Sequence, residues 1–94
     1  MSTITVYSKD QCVNCTATKR LMDQKGVEYT SVLLTNEEAM DIANSFSEKT
    51  GTTVAQMPIV TKTVGEEEDM LWSGKVNMRG IREVLAEQEA MAVT

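Results

Sequence analysis

The sequence predicts an α/β fold, a three-layer α/β/α sandwich around a four-stranded mixed sheet with the element order β-α-β-α-β-β-α. Short runs of β-branched residues alternate with longer stretches of helical periodicity. The first two strand-like runs are separated by a helix, as in a parallel pair, and the last two by a short turn, as in an antiparallel hairpin. A chain of 94 residues has room for one compact core, so we expect one domain over residues 1–94.

The first βαβ unit opens the chain. Residues 3–7, Thr-Ile-Thr-Val-Tyr, alternate as a strand does, and residues 8–11 break the pattern as a loop. A helix follows over residues 13–25 and ends at Gly26, which suits a left-handed cap. Residues 28–34 form the second strand. The helix offers the sheet two inward rows of side chains, Val13, Ala17 and Leu21 in one and Cys15, Thr18 and Met22 in the other.

The second helix has the clearest pattern in the sequence. Thr35 and Glu38 match a capping box, and Gly51 is placed to end the helix. The spacing i, i+3, i+4, i+7 predicts a buried stripe that consists of Ala39, Ile42, Ala43 and Phe46.

The C-terminal part predicts a hairpin and a last helix. Residues 59–64 form a strand, the acidic run at residues 66–69 is a solvated hairpin tip, and residues 70–72 return as a short strand. Asn77 caps the last helix, and residues 87–94 are expected to fray. The buried stripe of this helix is predicted to be Met78, Ile81, Val84 and Leu85.

The composition excludes several classes of protein. Nine basic and fourteen acidic residues give a net charge of −5, which argues against nucleic-acid binding because phosphate contacts need a concentrated basic surface. Without histidine, Ser-His and Cys-His catalysis are excluded, and two cysteines are too few for a four-cysteine cage, so we expect no metal. No apolar run approaches the roughly 18 residues of a membrane span, and residues 1–7 do not resemble a secretory signal. We expect a soluble, cytoplasmic, monomeric protein without a membrane partner.

The only two cysteines, Cys12 and Cys15, form a Cys-Val-Asn-Cys motif at the start of the first helix. Unpaired backbone N–H groups and the positive end of the helix dipole favour a thiolate at Cys12. The three-residue offset turns both sulfurs toward one helix face, so the pair can close as a redox-active disulfide. Thiols are kept reduced in the cytosol, so we expect the pair to alternate between two thiols and a disulfide rather than to form a permanent structural disulfide. The competing interpretation is a pair of inert, buried thiols.

The two cysteines are expected to have different roles. Cys12, at or before the first helical turn, is the more exposed and attacks the target, whereas Cys15 is shielded and resolves the mixed disulfide. Lys9 precedes the motif and either stabilises a thiolate, receives a carboxylate of the partner, or is an ordinary solvated lysine. Val13 and Asn14, between the cysteines, are candidate partner-binding residues.

Four further segments accompany the motif: Val-Tyr-Ser-Lys at residues 6–9, Lys-Gly-Val-Glu-Tyr at residues 25–29, Met57-Pro58 and Trp72-Ser73-Gly74. A Cys-x-x-Cys motif at a helix start inside a βαβ unit is typical of thioredoxin-like proteins. With these segments, the sequence resembles the glutaredoxin family of that superfamily, and within it the NrdH-redoxins, small electron donors to class Ib ribonucleotide reductase. The resemblance spans nearly the whole chain.

The resemblance implies further properties of the site. Met57-Pro58 should be a cis peptide bond that faces the cysteines, and the backbone of Met57 should pair with an incoming peptide segment. Glutaredoxins that use glutathione usually carry an aromatic residue inside the motif and a Gly-Gly near the last helix, whereas this chain has Asn14 and Trp72-Ser73-Gly74. This difference favours re-reduction by a thioredoxin reductase-like flavoenzyme, with electrons ultimately from NADPH and no bound cofactor. Trp72 belongs either to a partner-docking patch or to plain packing.

Three classes of function remain. The resemblance favours a dithiol electron carrier that reduces oxidised protein disulfides, with ribonucleotide reductase as its target. The second class is a glutathione-dependent glutaredoxin, with a glutathione site around Lys9, Met57 and residues 73–77. The third is a redox-sensing or cluster-binding adaptor that uses the two sulfurs as ligands.

Overall fold

The computed structural model describes residues 2–54 and 56–92. The helices and strands in this part of the chain follow the predicted order: β1 (Ser2–Lys9), α1 (Val13–Lys25), β2 (Thr30–Leu34), α2 (Asn36–Thr50), β3 (Ile59–Val64), β4 (Glu67–Ser73) and α3 (Met78–Ala92). The predicted α/β class is confirmed. Among the described residues, no helix has both the length and the apolar character that crossing a membrane requires.

The four strands form one mixed sheet in the order β2-β1-β3-β4. β1 pairs in parallel with β2 and antiparallel with β3, and β3 pairs antiparallel with β4. Tyr7, near the end of β1, lies opposite Ile59, the first residue of β3. The segment that leaves β1 toward the cysteines therefore lies beside the segment that enters β3 from Met57-Pro58.

The predicted helix caps are confirmed. The Glu38 N–H donates to Thr35 Oγ1 at 3.2 Å, and the Thr35 N–H donates to the Glu38 carboxylate at 3.0 Å, which completes the capping box of α2. At α3 the Gly80 N–H donates to Asn77 Oδ1 at 2.9 Å. Gly26 ends α1 in the left-handed conformation that favours glycine, with a φ of 78°. Local sequence thus determines where α2 and α3 begin and where α1 ends.

The two faces of the sheet carry separate apolar clusters. Neighbouring strand residues point to opposite faces, so Val6 and Val60 pack on one face, and Tyr7 and Ile59 on the other. α1 and α3 cover the first, the closed face, which buries Ile4, Val6, Met22, Val27, Val60, Trp72, Ile81 and Val84. α2 covers the second, the open face, which buries Cys15, Ala39, Phe46, Val54, Met57 and Ile59.

The predicted solvated tip at residues 66–69 is wrong in its extent, because β4 already begins at Glu67. The Glu68 carboxylate accepts hydrogen bonds from the Tyr7 hydroxyl at 2.6 Å and from Thr61 Oγ1 at 2.7 Å. Lys49 of α2 pairs with Asp69 at 3.3 Å. These partners from β1, β3 and α2 hold the acidic residues in a strand, and only Gly65 and Glu66 form the turn.

The predicted frayed tail at residues 87–94 is also wrong, because α3 continues to Ala92. Gln88 exchanges two hydrogen bonds with the backbone of Glu28, accepting at 2.9 Å and donating at 2.7 Å. Glu87 forms an ion pair with Lys62 of β3. These contacts attach the extra turns of α3 to the rest of the domain. Residues 93 and 94, the end of the predicted tail, lie outside the described residues.

Two smaller predictions also need correction. β1 extends beyond Tyr7, since Ser8 and Lys9 still pair with β2. β2 begins at Thr30 and not at residue 28 as predicted. The inward row that was predicted to start at Val13 does not include that residue, whose side chain is 82% exposed. The other row is confirmed, because Cys15, Thr18 and Met22 are all buried.

Candidate active site

The two cysteines lie at the N-terminus of α1, just after the end of β1, and are joined by a disulfide with a Cα–Cα distance of 5.2 Å. Cys12 is the N-cap residue of α1, and its backbone is extended. The Cys15 N–H donates to Cys12 Sγ at 3.1 Å. A capping atom that carries negative charge gains most from such a donor and from the helix dipole. The helix start therefore places a backbone donor at Cys12 Sγ, which is the geometry that the predicted thiolate stabilisation requires.

The two sulfur-bearing residues differ in exposure. Cys15 is 2% exposed and belongs to the open-face cluster, whereas Cys12 is half-buried and packs at its edge. Between them, Val13 is exposed and Asn14 is half-buried. The predicted difference in exposure is therefore confirmed, and the assignment of the attacking role to Cys12 and the resolving role to Cys15 stays a prediction.

The Met57-Pro58 peptide bond is cis, as the resemblance implies. Met57 is buried in the same cluster as Cys15, and Pro58 is fully buried. The Gly74 N–H donates to the Pro58 carbonyl at 2.9 Å. This hydrogen bond joins two candidate segments, Met57-Pro58 and Ser73-Gly74, that are separated in the sequence.

Trp72 lies apart from this group. Its side chain is 8% exposed and packs in the closed-face cluster with Ile81 and Val84 of α3. The indole thus contributes packing, which is the plainer of the two interpretations, and its part in partner binding stays a prediction.

Two grooves share Lys9 in their lining, one on the α2 side and one on the α1 side. The groove on the α2 side has a volume of about 500 Å³, and its walls are mainly apolar side chains of α2 and of the segment before Pro58, including Ala39, Met40, Ala43, Val54 and Met57. The groove on the α1 side has a volume of about 660 Å³ and contains both cysteines. The α1-side groove therefore leaves an open surface beside Cys12, whereas the α2-side groove lies beside Met57.

Tyr7 is a neighbour of the site that sequence reasoning missed. Its ring packs against the open-face cluster that includes Cys15. Burial and the hydrogen bond to Glu68 raise the pKa of Tyr7 to about 12, so the phenol is neutral at physiological pH. In the sequence, only the alternation of side chains along a strand indicates this position, because Tyr7 must point to the opposite face of the sheet from Val6. The Glu68 partner, 61 positions away, leaves no local signal.

Lys19 is a second missed residue. It lines the α1-side groove, and it stands at i+4 from Cys15 and i+7 from Cys12, on the cysteine face of the helix. Its helical spacing from the motif was visible in the sequence and could have identified it.

Comparisons with known proteins agree with this geometry. A family model described as glutaredoxin matches residues 4–60, more than half of the chain, including both cysteines and Met57-Pro58. Among solved structures, the chain is similar to the glutaredoxin-like protein NrdH-redoxin from Escherichia coli, at 25% sequence identity and a TM-score of 0.54 over 86% of this chain and 92% of that one. That protein is described as having a thioredoxin-like activity profile. The comparison with curated proteins found no match.

The fold, the cis-proline and the disulfide of one accessible and one buried cysteine are the parts of a thiol-disulfide oxidoreductase. The similarity to NrdH-redoxin extends over most of both chains. With a family model that matches more than half of its length, the chain belongs to the glutaredoxin family.

Proposed function

We propose that this protein is a dithiol electron carrier that reduces disulfides of other proteins, with ribonucleotide reductase as its target. A thioredoxin reductase-like flavoenzyme returns electrons from NADPH to the oxidised carrier. The observation that carries the proposal is the pairing of a half-exposed Cys12, capped by the Cys15 N–H, with a Cys15 that is 2% exposed. Such a pair separates the attacking sulfur from the resolving sulfur.

The first step is attack on the target. In the reduced carrier, the Cys12 thiolate attacks one sulfur of the target disulfide, whose S–S bond breaks as the Cys12–target bond forms. The second target sulfur leaves as a thiolate and takes a proton from solvent. The helix start holds the attacking sulfur beside a backbone donor throughout this step.

The second step releases the target. Cys15 loses its proton to solvent and attacks Cys12 Sγ, which expels the remaining target sulfur as a thiolate and forms the internal disulfide. This second target thiolate also takes a proton from solvent. The target thus gains two electrons from the carrier and two protons from solvent, while the carrier, which began with Cys12 as a thiolate, releases the one proton of Cys15 to solvent. The short Cα–Cα distance of 5.2 Å, across a helix turn, permits this ring closure without rearrangement of the fold.

Two observations support a flavoenzyme as the reductant. The NrdH-redoxin to which this chain is similar is described as thioredoxin-like in its activity profile. In addition, Gln56 fills the space beside Gly74, where an added Cβ would lie 2.5 Å from Gln56 Oε1. This space belongs to the region around residues 73–77 where the alternative class would bind glutathione. Because Gln56 already occupies it, the arrangement favours the flavoenzyme over glutathione as the reductant.

The experiment is a coupled NADPH-oxidation assay on a protein disulfide, run with thioredoxin reductase and, in parallel, with glutathione plus glutathione reductase. We expect turnover with the flavoenzyme and none with glutathione, followed by support of ribonucleotide reductase turnover. Turnover with glutathione alone would replace the proposal by the glutathione-dependent class. No NADPH oxidation in either assay, together with a coloured purified protein, would favour the cluster-binding adaptor.

A further inference from the structure

The α1-side groove beside Cys12 differs in charge from the α2-side groove. We call it the basic groove, because its lining includes Lys9, Lys19 and Arg20. Asp10 is the one acidic residue among its lining side chains. The chain as a whole has a net charge of −5, so the local charge around the reactive sulfur is opposite in sign to the overall charge. A local excess of this kind attracts an anionic ligand to one place on the surface.

The cations of the basic groove are not neutralised by ion pairs within residues 2–54 and 56–92. The ion pairs in this part of the chain involve other cations, Lys49, Lys62 and Arg79. The positive charge of the groove is therefore offset within its own lining only by Asp10 and is otherwise open to a partner.

Lys19 is held in place inside the groove. Its ammonium donates to Ser8 Oγ at 3.3 Å, and Ser8 is 1% exposed at the end of β1. A half-buried lysine with a fixed ammonium loses less side-chain freedom on binding than a solvated one. Lys19 thus presents a pre-positioned cation on the helix face that carries the two cysteines.

Two exposed apolar side chains belong to the same lining. Val13 is 82% exposed and Leu33 is 63% exposed, which makes them the edge of a surface that combines cations with apolar contacts. This combination suits a polypeptide with acidic and apolar residues, since a small anion would leave the apolar side chains uncovered.

We propose that the basic groove binds an acidic segment of the partner protein that lies next to the partner's reactive cysteine. The proposal rests on the proposed function and specifies the partner's chemistry: carboxylates meet Lys19 and Arg20, and an apolar side chain meets Val13 or Leu33. Attraction between these charges brings the disulfide to Cys12 and sets the orientation of the attack.

The experiment uses the full chain, reduced beforehand, and synthetic peptides of equal length that contain an internal disulfide. One peptide carries glutamates beside its cysteines, and a second carries glutamines at the same positions. We expect a rate constant about tenfold higher for the glutamate peptide at low salt, and the advantage should largely disappear at about 1 M salt. Equal rates for the two peptides at low salt would overturn the proposal.

Charge-removing variants locate the effect. The readout is the ratio of the two peptide rates, because any effect of a variant on the sulfur itself cancels in that ratio. Lys19→Gln combined with Arg20→Gln should reduce the ratio to near one. The matched control, Lys25→Gln combined with Arg82→Gln, removes the same charge from exposed positions outside the groove lining and should keep the ratio. An equal loss in the control would overturn the proposal, whereas failure to react with either peptide would contradict the proposed function instead.

Discussion

The two faces of the sheet bury similar kinds of side chain but are covered differently. On the closed face, α1 and α3 enclose a cluster that includes Met22, Val60 and Ile81, each 0% exposed. On the open face, α2 and the first turn of α1 cover the cluster, and a groove of about 500 Å³ remains along the wall of α2 beside Met57. The reactive pair belongs to the open face through Cys15. The comparison indicates that the closed face supplies stability and the open face supplies access.

The largest expected effect concerns the cysteines at the edge of the open face. Cys12→Ser should reduce disulfide exchange to the background rate, because no sulfur remains that a target can reach. Cys15→Ser should instead accumulate a covalent complex with the target, since the resolving thiol is missing. Mass spectrometry under non-reducing conditions distinguishes the two outcomes, and circular dichroism checks that both variants stay folded. Full activity of Cys12→Ser would contradict the assigned roles.

A substitution on the closed face should lower stability and leave the rate of disulfide exchange unchanged. A Cβ added at Gly80 of α3 would lie 2.6 Å from Trp72 Cε3 and 2.7 Å from Cζ3, closer than side-chain atoms can approach. Gly80→Ala would gain about 1 kcal/mol of helix propensity. Overpacking against the buried indole costs about 1–3 kcal/mol. We therefore expect the free energy of unfolding in urea to fall by about 1 kcal/mol, with no change in the exchange rate of the folded protein.

The same substitution in a Trp72→Phe background is the control for the clash with the indole. In Trp72→Phe, the smaller ring removes the atoms that clash with the new methyl group, so Gly80→Ala should become neutral or stabilising there. A gain in stability for Gly80→Ala in the natural background would show that the indole moves without cost, and that the closed face is less tightly packed than the structure indicates.

Features encoded within a few residues of each other were predictable from the sequence. The capping box of Thr35 and Glu38, the Asn77 cap and the left-handed Gly26 each depend on one turn of chain, and each was found as predicted. The cysteine pair was predictable for the same reason, because both its spacing and its position at a helix start are local.

Contacts between distant segments were not predictable. Glu68 bonds to Tyr7 across 61 positions and Gln88 to Glu28 across 60, and both pairings follow from sheet register and helix packing rather than from sequence patterns. These contacts explain why the acidic hairpin is a strand and why α3 continues beyond residue 87. The basic groove was missed for a related reason, since β2 and the segment after β1 must come together before Leu33 and Lys9 can line it with Lys19.

The smallest expected effect tests the link between the open face and the acidic hairpin. Burial and the Glu68 carboxylate raise the pKa of Tyr7 to about 12, against 10.0 for a free phenol. The unfolded chain therefore loses this proton first as pH rises. The stability that Tyr7 contributes is fully present below pH 10 and is lost progressively toward pH 12. Glu68→Gln should lower the pKa of Tyr7 toward its ordinary value, because the amide keeps the space but carries no charge.

Ultraviolet absorbance of tyrosinate measures this pKa directly. Tyr29 is the only other tyrosine, and burial and a hydrogen bond to Asp23 raise its pKa too, so the titration is done in a Tyr29→Phe background. We expect one transition, which shifts downward in Glu68→Gln. An unchanged transition would mean that burial alone raises the pKa, and that the hairpin carboxylate does not interact electrostatically with the open face. A shift without a change in disulfide exchange would assign the Tyr7–Glu68 pair to stability alone and not to the chemistry of the cysteines.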